Sequence, residues 1–103
     1  MIKVSVLYPN GEGKTFDMEY YLGTHIPMVL QLLGDACKKG AAEQGIAGGT
    51  PGSAPTYTAM GHMYFENLED FNSSFSPNAN KIMGDIPNYT NILPVIQISE
   101  VKM

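Results

Sequence analysis

Two histidines, His25 and His62, and one cysteine, Cys37, are the side chains able to trade a proton or turn nucleophilic near neutral pH. His25 stands in the run Tyr20-Tyr21-Leu22-Gly23-Thr24-His25-Ile26-Pro27. At the helical period, Met18, Tyr21, Leu22, His25, Val29, Leu32 and Leu33 share an arc of about 120°. A neutral imidazole near the middle of that apolar arc suits a general acid or base, with its tautomer fixed by a hydrogen bond on the other ring nitrogen. Tyr21 lies one turn away on the same face and could orient or polarise a bound molecule. The same placement also fits a core histidine bonded to a backbone carbonyl. Pro27 offers one, because it cannot donate to the carbonyl of Gly23.

His62 lies in an alternating run from Tyr57 to Phe65. Met60, His62 and Tyr64 share one face; Ala59, Gly61, Met63 and Phe65 share the other. His62 either lines a cavity or sits half-exposed on a strand. Neither histidine has a carboxylate or second histidine at ligand spacing on its own element, so no metal site is expected. Cys37 has no histidine nearby in sequence and reads as a small buried hydrophobe. Glu66, Glu69 and Asp70 open a helix, where the dipole accounts for them. Gly13-Lys14-Thr15 resembles the tail of a phosphate-binding loop, but the first glycine of that pattern would fall on Tyr8. No motif for a bound organic cofactor is present, so none is expected. Met18, Met28, Met60 and Met63, with Tyr21, Tyr57, Tyr64 and Phe65, would together make an adaptable apolar pocket, while core packing accounts for each of them singly.

The elements that must position these residues follow from period and punctuation. Ile2 to Tyr8 alternates as a strand, and Pro9 to Gly13 is a loop. A helix is expected from Asp17 to Leu33, capped by Thr15 or Asp17 and closed by Gly34, kinked but continuous at Pro27. A short strand follows near Lys39 to Ile46, then a loop to Pro55 and the strand Tyr57 to Phe65. Asn67 caps a second helix with Leu68, Phe71 and Phe75 as its stripe, and Ser76-Pro77 restarts a turn to about Met83. Asp85 to Asn91 reads as a turn region, and Ile92 to Val101 as a last strand. The order βαββαβ predicts a ferredoxin-like α+β fold: one antiparallel sheet with two helices on one face. Ile2, Val4, Val6, Ile96 and Ile98 are expected to face the helices. The other face carries Lys3, Ser5, Leu7, Val95, Gln97, Ser99 and Val101, too apolar for open water and too polar for a deep core.

The chain has 103 residues, 44% hydrophobic and 16% charged. That length is one domain, residues 1–103, and the charge is low beside the usual value of about 25%. A partner subunit over the mixed sheet face would explain it. The net charge is −4, and all six basic residues are lysines. An acidic chain without arginine argues against nucleic acid and against an anionic membrane surface. The first apolar run ends at Pro9, too short for a signal segment or a membrane span. One cysteine points to a reducing, cytoplasmic setting.

Phe16 to Pro27 resembles the signature helix of the EthD family, named for ethyl tert-butyl ether degradation: an aromatic before the helix, paired aromatics, then His-x-Pro. Gly45 to Gly52, Tyr57-x-Ala59-x-Gly61-His62-x-Tyr64-Phe65 and Ile82 to Tyr89 are similar to members as well. The resemblance implies a dimeric α/β barrel, a homodimer of two ferredoxin-like chains packed sheet against sheet. It implies work on small molecules in oxidative degradation or tailoring pathways, with oxidoreductase association, and it maps the family histidine onto His25. On this reading His25 is the acid or base, Tyr21 and His62 orient the substrate, and Met18, Met60, Tyr64 and Phe65 bind a small apolar organic ligand. The chemistry could be that of a cofactor-independent monooxygenase, an isomerase or a cyclase. The alternatives are a non-catalytic carrier or accessory protein to an oxygenase, and a haem-binding barrel with His25 or His62 as axial ligand.

Overall fold

The computed structural model describes residues 1–103. Its elements are β1 (Ile2–Pro9), α1 (Met18–Tyr20), a π-helical turn (Tyr21–His25), α2 (Ile26–Leu33), β2 (Lys39–Gln44), β3 (Tyr57–Phe65), α3 (Leu68–Phe75), α4 (Ala79–Gly84) and β4 (Val95–Glu100). The four strands form one antiparallel sheet in the order β2-β3-β1-β4, the expected ferredoxin-like arrangement. No helix is long and apolar enough to cross a membrane.

Register sorts the side chains as the alternation implied. Val4 pairs with Met63 and Ile98, while Ser5 pairs with His62 and Gln97. The helix-facing side carries Val4, Phe65, Phe71, Val29, Leu33 and Ile82, which close into one core cluster. Phe65 is fully enclosed, with its ring 5.1 Å from that of Phe71. A second cluster, at the other end of the sheet, is built on Tyr8, Tyr21, Ala59, Ile86, Tyr89 and Ile92.

Several boundaries differ from the sequence reading. Helical geometry runs unbroken from Met18 to Leu33, with Asp17 as cap, its carboxylate accepting from the Tyr20 amide at 3.0 Å. Pro27 is absorbed by a widened turn rather than a simple kink: the Ile26 amide donates to the Tyr21 carbonyl, five residues back. The wide turn carries Leu22 out to the surface, leaving Tyr21, His25, Val29 and Leu33 as the buried row. β2 ends at Gln44, and Ile46 is almost fully exposed beyond it. β4 starts at Val95, after Pro94, which has no amide to donate to a ladder. Ile96 and Ile98 face the helix side but are each 45% exposed, being on the edge strand of the sheet.

One glycine of β3 sets the spacing between sheet and helix. A Cβ at Gly61 would collide with the Tyr21 hydroxyl. Gly61→Ala is therefore expected to cost about 1–3 kcal/mol through overpacking. Adding Tyr21→Phe, which removes the colliding atom, should recover most of it. Urea unfolding of the two single variants and the double variant measures that coupling.

Candidate functional site

The π turn gives His25 its position. With the turn widened ahead of Pro27, His25 is carried onto the row of Tyr21 and Val29, and its side chain is 6% exposed. Such turns in helices frequently coincide with functional sites. The imidazole does not settle onto a local carbonyl. Its Nδ1 lies 2.8 Å from Oδ2 of Asp85, sixty positions along the chain.

Asp85 is held by three donors. Oδ1 accepts from the Tyr20 hydroxyl at 2.8 Å and from the Asn88 amide nitrogen at 2.9 Å, while Oδ2 faces His25. Burial works to raise the carboxyl's pKa. The bonds from Asn88, His25 and Tyr20 outweigh it and hold the group below the ordinary carboxylate value. An ionised carboxylate only accepts, so the proton between the two residues belongs to Nδ1. In the neutral ring Nε2 is then the acceptor. It has no hydrogen-bond partner in the protein, and no sealed side-chain polar atom lacks one, so Nε2 is not completely sealed, and His25 is among the residues that line the neighbouring cavity.

The segment that presents Asp85 is laced to the start of the helix. Asp85 follows α4, and Ile86, Tyr89 and Ile92 anchor the turn in the second core cluster. The Asp17 amide donates to the Tyr89 carbonyl at 2.7 Å, and the Thr90 hydroxyl donates to the Thr15 carbonyl at 2.6 Å. Asn91 bonds both the Thr15 amide and the Gly13 carbonyl at 2.9 Å. These bonds fix the carboxylate relative to the histidine from outside the pair.

Aromatic rings pack around the imidazole. Tyr21 stacks on it with centroids 5.8 Å apart and planes 16° from parallel, and Tyr89 approaches at 4.6 Å. The Tyr8 and Tyr89 hydroxyls are 2.7 Å apart, and the Tyr21 hydroxyl adjoins Tyr8. Burial first, then the neighbouring hydroxyls, push Tyr21 and Tyr89 upward, so all three phenols stay protonated at neutral pH.

Beside this cluster lies a cavity of about 170 Å³ between the sheet and the helices. His25, Tyr21 and Tyr8 border it at one end. Val29, Met63, Phe71, Phe75 and Ile82 line it further on, and Ile96 and Ile98 of β4 form a side wall. No lysine, aspartate or glutamate lines it.

The structure divides the seven residues singled out from sequence. His25 and Tyr21 come together at the cavity. Met60, His62 and Tyr64 alternate onto the opposite face of the sheet; β3 still borders the cavity at His62, but Met60, Tyr64 and Phe65 do not line it, so their wall beside His25 is not formed. Phe65 is on the helix side but sealed in the core, and Met18 packs against the second cluster rather than the cavity. In place of these, β4 and the helices α3 and α4 supply the wall. Asp85, Asn88, Tyr89 and the hydroxyl of Tyr20 went unrecognised in the sequence reading, which took 85–91 as a turn. Their signal was the run Ile82 to Tyr89, whose resemblance to family members had no structural task attached to it.

On the far face His62 has its own partners. Nδ1 lies 3.0 Å from the Ser5 hydroxyl, and Nε2 lies 3.3 Å from Glu43 Oε1. No three of the histidine, cysteine, aspartate and glutamate side chains converge as a metal site. Cys37 donates weakly to the Lys39 carbonyl, and burial pushes its thiol up.

The EthD domain profile matches residues 10–92. The chain belongs to the EthD family. An EthD-like protein from Ralstonia eutropha is 44% identical over 99% of this chain and 92% of that one, with a TM-score of 0.94. An ethyl tert-butyl ether degradation family protein from Bacillus halodurans has the same fold at 22% identity, with 99% of both chains covered and a TM-score of 0.74. A dimeric protein of unknown function and ferredoxin-like fold from Bacteroides fragilis matches at 14% identity, over 97% of this chain and 95% of that one, with a TM-score of 0.53. No curated protein matches.

The pair makes a pH prediction with a definite sign. Asp85 has a lower pKa folded than unfolded, so its contribution to stability is present above the unfolded value of about 4 and is lost as pH falls through the folded value. A carbon-13 NMR titration should find the Asp85 midpoint below about 4, rising in Asn88→Ala as one donor is removed. Nitrogen-15 spectra should show a single Nδ1–H tautomer for His25, and Asp85→Ala should lose that fixed tautomer.

Proposed function

We propose that this protein binds and transforms a small, largely apolar organic molecule in the cavity between the sheet and α2, with His25 as the acid or base. The observation that carries the reading is the His25–Asp85 pair at the edge of an apolar cavity. A carboxylate on Nδ1 leaves Nε2 to take a proton from a bound molecule and return it. This is the division of labour that general acid/base catalysis requires. Asp85 acts as a positioning residue, and Tyr20 and Asn88 position it in turn. Tyr21 borders the cavity within reach of a ligand beside His25. Membership of the EthD family supports a role in oxidative degradation or small-molecule tailoring, and an oxidoreductase-associated reaction fits that setting.

The working form we propose is a homodimer, with the Ser5, Leu7, Met60 and Tyr64 face of each sheet packed against the other. The mixed polarity of that face and the low charge of the chain support it, as does a dimeric relative of the same fold. The acidic, arginine-free composition supports neither nucleic acid nor membrane as a partner, and the lone cysteine fits a cytoplasmic setting.

Native mass spectrometry of freshly purified protein is expected to give a dimer, with any retained ligand appearing as added mass. Incubating that compound with protein tests the chemistry. Wild type should convert it, and His25→Gln should keep fold and dimer while losing turnover by about 10²-fold or more. Unchanged turnover in His25→Gln removes the residue from the reaction. Binding without conversion in wild type assigns the protein to a carrier role. A monomer defeats the sheet-to-sheet pairing.

A further inference from the structure

We propose that the cavity selects an uncharged molecule of one aromatic ring that carries a hydroxyl group, a phenol, whose O–H donates to His25 Nε2. This rests on the reading of His25 as acid or base and names the chemistry its ligand must bring.

Size is the first constraint. The space is about 170 Å³, close to the roughly 150 Å³ of an apolar cavity known to accept benzene. One ring with a small substituent fits; a fused polycyclic compound does not. Charge is the second. With no lysine, aspartate or glutamate on the wall, an ionised ligand would leave water without meeting a counter-charge. Carboxylates and amines are therefore disfavoured as ligands even where their shape is right.

Hydrogen-bond complementarity is the third, and it is the most selective. In the state in which His25 could act as a base, Asp85 holds the ring's one proton on Nδ1, and Nε2 then only accepts. A ketone, ether or ester would set acceptor against acceptor there. The ligand must donate, and an uncharged donor on an otherwise apolar body is a hydroxyl. Ring against aliphatic chain is decided by the wall: Met63, Met83, Phe71 and Phe75 line the space, and thioethers and aromatic edges favour an aromatic partner. A phenol is also the neutral hydroxyl acidic enough, at about the tyrosine value of 10, for an imidazole to share its proton usefully.

The test is an NMR titration of the wild-type protein with phenol, anisole, toluene and benzoate. These probes keep one ring and vary only the substituent. Phenol is expected to bind about tenfold more tightly than anisole or toluene, the worth of one hydrogen bond in an apolar site. It should shift the His25 Nε2 resonance, and benzoate should bind least. Equal affinity for phenol, anisole and toluene overturns the hydroxyl selection and leaves the apolar-ligand reading standing. Tightest binding of benzoate overturns the charge argument and the proposal with it. Failure of all four to bind overturns both this inference and the cavity as a ligand site.

Discussion

The bond between His25 and Asp85 ties the first helix to a turn sixty residues further on, and much of the site's construction serves it. An imidazole lining an apolar cavity is useful only if its proton is on a known nitrogen, and a half-buried carboxylate is best held when it is well partnered. Both requirements are met at once. Tyr20 and Asn88 saturate the oxygen that His25 does not use, and the loops 13–17 and 89–92 are stitched together so that helix and turn cannot drift apart. The widened turn before Pro27 belongs to the same arrangement, since it keeps His25 on the buried row with Tyr21 and Val29.

The fold was legible because its signals are local. Alternation gave β1 and β3 nearly to the residue, Asn67 and Asp17 announced their helices, and the order of elements left one sensible topology. Register follows from alternation too, so Val4 could be placed facing the helices from the pattern alone, whereas Phe65, read as a pocket wall, is sealed in the core. The site was legible only in part, because it is made by contacts distant in sequence. His25 and Tyr21 stand on one helical face and could be paired by period. Asp85 has no periodic relation to them, and a turn-rich stretch such as Gly84 to Asn91 hides the carboxylate that meets His25 among ordinary turn residues. The misplacement of Met60 and Tyr64 has a different cause. They are the right kind of residue for a pocket wall, but period 2 puts them on the face with His62, away from His25.

The two sheet faces thus carry two histidines in different employment. His25 has an ionised partner inside the protein, a second nitrogen without a protein partner, and a place on the wall of an apolar space. His62 has both nitrogens engaged, by Ser5 and Glu43, on a surface of mixed character. The side wall of Ile96 and Ile98, each 45% exposed, is an open flank of the cavity.

Gly61 and His62 are consecutive residues of β3, one under the Tyr21 hydroxyl and the other on the opposite face. A sheet is a single layer, so the backbone between them serves both surfaces. Pressure on His62, Met60 or Tyr64 that moves β3 by a few tenths of an ångström towards the helices takes room from Tyr21, and through its stacked ring from His25. Whatever packs on the far side of the sheet is mechanically connected to the acid–base pair across the thickness of one strand.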